Sequence, residues 1–457
     1  MNKTKLLCNS YFPNINQNYQ NYRVNELDIL GYKFGCKGID GINNWEKFNS
    51  FLQVFENISP HKSVSWRGRV NTVMTYGFSL FQFKSWNCQQ TKQRLAEIEK
   101  YFSNFIFHPL PKRHLKIEQL YLPLNFGGIN FPNLHLRMVS QKLSFLANFL
   151  NSSNEIWTKI FDYFNYLRTQ PRPNIPTFYK HLNKIRGSFN YMFENVDGKF
   201  MFRLGNKNLP SNQSTSSNIY KLLINDKYSE VRLNLVNRWQ YELGMNVNIN
   251  DSIFLNCIAN WKVSGQSYTR NFSYEVLMRG VYTNEKKYRY GKTISPNCLL
   301  CEKYPETLSH VLCNCEISSG FWTSNIKPLL QNLIGISFNF DFNLIMFSEA
   351  AYVHGEMRAI LAYVLITARW AIWEFRYLKL NNLNPIHPFQ NFKTTVRKHY
   401  YRMFICPMDN FRKQFNVIEL VIKTCNFLLF SLLYILAILQ WFKMKHKGKS
   451  TPKCTYN

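Results

Sequence analysis

The sequence predicts a mainly α-helical, multi-domain protein that carries a small metal-binding module. Three observations predict it. Apolar residues recur at the 3.6-residue helical period over 43–107 and again over 357–375. Strand-like alternation shows in the first 36 residues, as in LDILGYKFG (Leu27–Gly35). Hydrophobic residues make up 46% of 457 positions, which is enough to bury cores in two to four domains and excludes wholesale disorder.

Residues 1–36 read as short strands joined by Asn-rich loops. The next segment, 37–132, holds three helices followed by a basic loop. Trp45, Phe48, Leu52 and Phe55 fall on one face of the first helix. Trp66, Val70, Val73, Met74, Gly77 and Phe81 stripe the second, with Arg67 and Arg69 off that stripe. Leu95, Ile98, Phe102, Phe105 and Ile106 mark the third. A proline-flanked run then carries Lys112, Arg113, His114 and Lys116, cations near aromatic residues that suit contact with nucleic-acid phosphates. Gly127-Gly128 permits a tight backbone turn or a close approach to another chain.

A helical connecting region follows over 133–270. Ile156–Leu167 has a helical pattern, and the loops Thr169–Pro176 and Leu209–Asn218 interrupt the region. The second loop is polar and Ser-rich and is expected to be a flexible linker. Trp239 and Trp261 are expected in the core. The metal-binding module spans 271–335 and further helices 336–418. One of these runs through Met357, Ile360, Leu361, Val364, Leu365, Ala368, Ile372 and Phe375, and carries Arg369, Trp370 and Trp373. The last segment, 419–457, holds Thr424–Phe442, nineteen residues without a charge. That length is near the hydrocarbon thickness of a bilayer, and Lys443, Lys445, Lys447 and Lys449 follow, so the stretch is a candidate membrane-spanning helix.

Lys and Arg total 56 against 27 Asp and Glu, a net charge of +29. Such an imbalance points to a polyanionic partner, nucleic acid or an anionic membrane surface. The eleven cysteines are an odd number, and the N-terminus shows no secretory signal pattern. Reduced thiols in cytoplasm or nucleus are therefore expected, with metal binding favoured over disulfides.

Four of those cysteines lie in CLLCEKYPETLSHVLCNCEISSGFW (Cys298–Trp322). Cys298 and Cys301 form a C-x2-C knuckle, and His310 and Cys315 complete C-x2-C-x8-H-x4-C, a spacing suited to tetrahedral zinc. From spacing alone Cys313 competes with Cys315, because positions three apart share a helix face with His310. Pro305 suits the first position of a short helix and Glu306 its positive end.

The stretch resembles the zinc-binding module at the C-terminal end of reverse transcriptases of LINE-type (non-LTR) retrotransposons. Glu306-Thr307, His310, Cys315 and Trp322 stand where that pattern has them, which favours Cys315 over Cys313, and Arg279–Gly291 resembles its lead-in. Asn2–Lys5 is similar to the Asn-x-x-Lys element of the family's palm, Leu27–Gly35 to its primer-grip hairpin, and Ser65–Val73 to a helix start of its thumb. Leu122-Pro123 with Gly127-Gly128-Ile129 resembles the segment beyond the thumb, and the Trp370/Trp373 helix the one after the zinc module.

The resemblance implies a palm remnant, a thumb-like bundle, a helical connector and a zinc module. It implies RNA or an RNA/DNA hybrid as partner, gripped through phosphates by residues such as Arg67 and Arg69. It also implies a chain that starts beyond the family's catalytic Asp pair. No Ala-Asp-Asp occurs in the sequence, so nucleic-acid binding without polymerase catalysis is expected. Two other classes compete: a basic membrane-anchored protein and a zinc-stabilised interaction scaffold.

Overall fold

Helices begin where the sequence supplies a side-chain cap. In the computed structural model Ser65 Oγ accepts from Gly68 N at 3.3 Å, Thr91 Oγ1 from Arg94 N at 3.1 Å, and Thr215 Oγ1 from Asn218 N at 3.3 Å. The structure describes residues 45–57, 64–87, 90–108, 115–150, 191–196, 199–204, 207–210, 213–243, 267–348, 353–405 and 418–422. It also describes Lys159, Thr424 and strand pieces at 6–7, 23–24, 26–29, 32–35 and 38–39. Several expectations lie outside these residues: the Asn2–Lys5 element, Lys112, Arg113, His114, the Thr169–Pro176 loop, Trp261, and Thr424–Phe442 beyond Thr424. The chain divides into two units, Met1–Ile258 and Ala259–Asn457, so the boundary falls inside the expected connecting region. Most described residues are helical, as expected.

In the first unit β1 (Leu6–Leu7) pairs in parallel with β2 (Arg23–Val24). The alternating run at Leu27 forms a hairpin of β3 (Glu26–Ile29) and β4 (Tyr32–Gly35), in register Leu27↔Phe34, with β5 (Gly38–Ile39) on its far side. The three expected helices follow. They are α1 (Glu46–Asn57), then α2 (Trp66–Thr72), which continues through a π-helical stretch (Val73–Phe78) into α3 (Ser79–Asn87), and α4 (Lys92–Phe107). Their apolar stripes meet: Trp45 and Phe48 lie 5.7 and 6.0 Å from the Phe81 ring, and Trp66 lies 4.8 Å from Phe107. Gly77 is packed so closely that a Cβ there would come within 2.8 Å of the Phe102 ring.

Arg69 corrects an expectation. It is only 4% exposed, and burial lowers its pKa. Its guanidinium donates to the carbonyls of Val64 (3.1 Å), Ile106 (3.0 Å) and His108. It neutralises the carbonyl-rich C-terminus of α4 and so is not available to a phosphate.

After α5 (Ile117–Tyr121) the chain turns at Gly127-Gly128. Gly127 has φ +82°, as the expected tight turn requires, and a Cβ on Gly128 would sit 1.7 Å from the Leu122 carbonyl oxygen, so the pair's close approach is to its own backbone. Next, α6 (Leu134–Leu150) is capped by Asn133 Oδ1, which accepts from Leu136 N at 2.9 Å, and by Glu99, which accepts from Leu134 N at 2.8 Å.

The connecting region brings two corrections. It contains an antiparallel sheet, β6 (Tyr191–Val196), β7 (Lys199–Leu204) and β8 (Lys207–Leu209), where helices were expected. The expected linker Leu209–Asn218 is ordered in its described part. It runs from the end of β8 into α7 (Ser216–Lys227), and Ser214 Oγ donates to the Pro210 carbonyl at 3.0 Å. The following helix, α8 (Ser229–Leu243), buries Trp239 as expected.

The second unit is built on α14 (Gly355–Leu380), the expected Trp-bearing helix, beside α9 (Ser267–Leu277) and α15 (Pro388–Ile405). Phe272 on α9 lies 5.4 Å from Trp373 and 5.5 Å from Trp370. Met357 is 47% exposed and lies off the core that Ile360, Leu361, Val364, Leu365, Ala368 and Ile372 build. Between α9 and α14 come α10 (Asn284–Arg289), the cysteine knuckle, α11 (Glu316–Phe321), α12 (Lys327–Ile334) and α13 (Phe342–Phe347). Among the described residues no helix is long and apolar enough to cross a membrane.

Candidate metal centre

Cys298, Cys301, His310 and Cys315 converge, with one ligand atom of each within 4.8 Å of all the others. The knuckle turns because Glu302 N donates to the Cys298 carbonyl at 2.8 Å, with Glu302 at φ +62°. Leu300 N donates to Cys298 Sγ at 3.4 Å. Thr307 caps the helical turn that carries the histidine, its Oγ1 accepting from His310 N at 3.0 Å. That turn is π-helical over His310–Asn314 and ends at Cys315, whose N–H donates to the His310 carbonyl at 2.7 Å. Trp322 closes the back of the turn, its Nε1 donating to the Leu312 carbonyl at 2.7 Å.

The donor atoms fit a tetrahedral ion. Cys298 Sγ and Cys315 Sγ are 4.0 Å apart, and Cys301 Sγ and His310 Nε2 are 3.3 Å apart. Zinc bonds of ordinary length would place two sulfurs about 3.8 Å apart and a sulfur and a nitrogen about 3.5 Å apart. Without the ion the ligands differ in charge state: Cys315 and His310 are poised for a metal, whereas Cys298 holds its proton and must release it on binding. The Cys298 thiol donates to Cys315, which raises its pKa, as burial also does. The same contact lowers the pKa of Cys315 and favours its thiolate. Burial lowers the pKa of His310 and favours the neutral imidazole that a metal ligand must be. Cys313, three residues from His310, is buried and outside this group.

Glu306 has a different role from the one its sequence position suggested. Pro305 pairs with Asn297 in an isolated β-bridge, and the helix starts only after Thr307. Glu306 is 0% exposed and uses both carboxylate oxygens. Oε1 accepts from Asn284 N (2.7 Å) at the start of α10 and from Arg376 Nη2 of α14. Oε2 accepts from Leu299 N (3.0 Å) inside the knuckle. Arg376 is itself buried and stacks on Trp373 at 4.4 Å. One turn on, Lys379 Nζ donates to the Leu300 carbonyl at 3.1 Å and pairs with Glu302 at 3.0 Å. The long helix thus holds the metal loop through two cations that the ligand spacing did not reveal. A signal existed: Arg369, Ile372 and Arg376 share one helix face, which puts two arginines on an apolar stripe.

Of the residues expected to touch nucleic acid, Arg67 is half-buried on α2 and Lys116 is exposed just before α5.

Residues 240–322 match the protein family described as zinc-binding in reverse transcriptase. No curated protein matches the chain. The family match and the Cys3His donor set together make zinc the cofactor. With these four side chains as ligands a zinc ion would have no open position, the arrangement of a structural cross-link.

Proposed function

We propose that the chain is a nucleic-acid-binding part of a LINE-type (non-LTR) reverse transcriptase, holding RNA or an RNA/DNA hybrid without catalysing synthesis itself. One observation carries the proposal: a preformed Cys3His centre lies inside the segment that matches the reverse-transcriptase zinc-binding family. The net charge of +29 supports a polyanionic partner. The hairpin at Leu27, the three-helix bundle and the Trp-bearing helix follow one another in the order the LINE resemblance implies. The sequence has no Ala-Asp-Asp to hold the two metal ions of phosphoryl transfer. Such a protein would work in the nucleus or cytoplasm, where its thiols stay reduced.

The test is salt-dependent binding of the zinc-loaded chain to RNA and to an RNA/DNA hybrid. Each phosphate contact contributes about 0.7 to 0.9 to the log–log salt slope, so Lys112→Ala, Arg113→Ala and Lys116→Ala together should flatten it by about two units. Absence of binding at low salt refutes nucleic-acid recognition. Primer extension by the pure chain with Mg2+ refutes the non-catalytic part.

A further inference from the structure

Just before the knuckle, α10 runs into a stretch that is exposed from Tyr288 to Lys292: Tyr-Arg-Tyr-Gly-Lys. Tyr288 is 51% and Tyr290 66% exposed. Two aromatic rings thus stand in water within one turn of chain, each with a face open to a partner. Tyr290 lies 6.3 Å from Tyr282, and Lys292 Nζ sits 5.4 Å from the Tyr282 ring, so aromatic faces and a cation form one patch.

The charges around it are lopsided. Between Thr283 and Lys292 there are four cations and one carboxylate, Glu285. Arg289 pairs with Glu285, and Lys286 Nζ is tied to the Arg279 and Val281 carbonyls. Lys287 is half-buried and feels the charges of Arg376 and Glu306, which leaves Lys292 as the patch's main source of uncompensated positive charge. The backbone beneath is firmly held: Asn284 N donates to buried Glu306, and Asn284 Nδ2 to the Asn297 carbonyl at 3.0 Å.

We propose that Tyr288 and Tyr290, with Lys292, form a stacking platform for a single-stranded stretch of RNA beside the zinc knuckle. The inference rests on the nucleic-acid reading above and adds a place and a mode to it. Exposed aromatic faces stack on unpaired bases, and the cation meets a phosphate between them. A duplex keeps its bases inside and gains only the charge contribution. An acidic protein partner would use the cation and have less use for two exposed rings.

The experiment measures fluorescence anisotropy of the full, zinc-loaded chain with a labelled oligouridylate and with an RNA duplex. Tyr288→Ala/Tyr290→Ala should weaken oligouridylate binding by at least about 5-fold, the low end for one lost base–aromatic stack, and change duplex binding less than about 2-fold. Tyr288→Phe/Tyr290→Phe should bind as the parent does, because the ring face is kept. Lys292→Ala should lower the single-strand salt slope by about 0.7, whereas the alanine pair should leave the slope unchanged. Both tyrosines are exposed, and unchanged zinc content and thermal midpoint confirm that the variants fold. If the parent binds oligouridylate and the alanine pair binds it equally well, or loses both probes equally, the platform is refuted and nucleic-acid binding stands. If the parent binds neither probe, the functional proposal fails and the platform falls with it.

Discussion

Glu306 organises the metal loop from a fully buried position. One carboxylate caps a helix, holds a knuckle amide and neutralises Arg376. Removing one partner of a buried ion pair leaves the other charge stranded, which typically costs about 3–5 kcal/mol. Glu306→Gln should therefore cost about that much stability in urea denaturation and weaken zinc by roughly 10- to 100-fold, as loss of a supporting contact to metal ligands does. A variant with parental midpoint and zinc affinity would sink this role. Ligand identity is tested by metal analysis. Cys315→Ser should lose the zinc and Cys313→Ala should retain it; the reverse result would make Cys313 the fourth ligand.

Glu275 supplies a pH test in the same unit. Burial raises its pKa to about 7 from 4.5, against a smaller opposing pull from Lys286. A raised carboxyl binds its proton more tightly in the folded state. Its stabilisation is complete below the unfolded value and is lost as pH rises through about 7. Relative to Glu275→Gln, the natural chain should lose on the order of 1–3 kcal/mol between roughly pH 5 and pH 7.5. Referring each measurement to the Gln variant removes the separate pH dependence of zinc binding. Parallel stability curves for the two proteins would contradict the assignment.

At the scale of elements, close backbone packing decides where helices and turns can meet. The turn after α5 is the sharpest case, because any side chain at Gly128 would run into the Leu122 carbonyl. Relief requires the backbone itself to move, so Gly128→Ala should cost at least about 2 kcal/mol in chemical denaturation, towards the upper end for overpacking. A loss below about 0.5 kcal/mol would mean that the turn opens freely. The helices at 46–107 were legible because each has a long apolar stripe and two have a Ser or Thr cap. The β6–β7 hairpin was missed although Asp197-Gly198 lies between two aromatic-rich runs, a dipeptide that favours tight hairpins. Surrounding helical patterns outweighed that short signal.

Over the whole molecule, ordering follows local sequence signals, while the state of each charge depends on distant partners. The ligand set spans eighteen residues, so its spacing alone exposed a metal site, and the tetrahedral convergence of four donors is what the structure adds. The choice between Cys313 and Cys315 was open to spacing, because both lie within reach of His310 on a short turn. The fold puts Cys315 at the end of that turn, among the other ligands, and buries Cys313 outside the group. Arg69 and Arg376 looked alike in the sequence to any solvent-facing cation. Only packing made one a cap for carbonyls 37 and 39 residues away and the other a counter-ion to a carboxylate 70 residues away. Helical period and ligand spacing are properties of neighbouring residues, so the sequence determined them by itself. Burial of a charge depends on which distant group arrives to neutralise it, and only the tertiary structure could decide that.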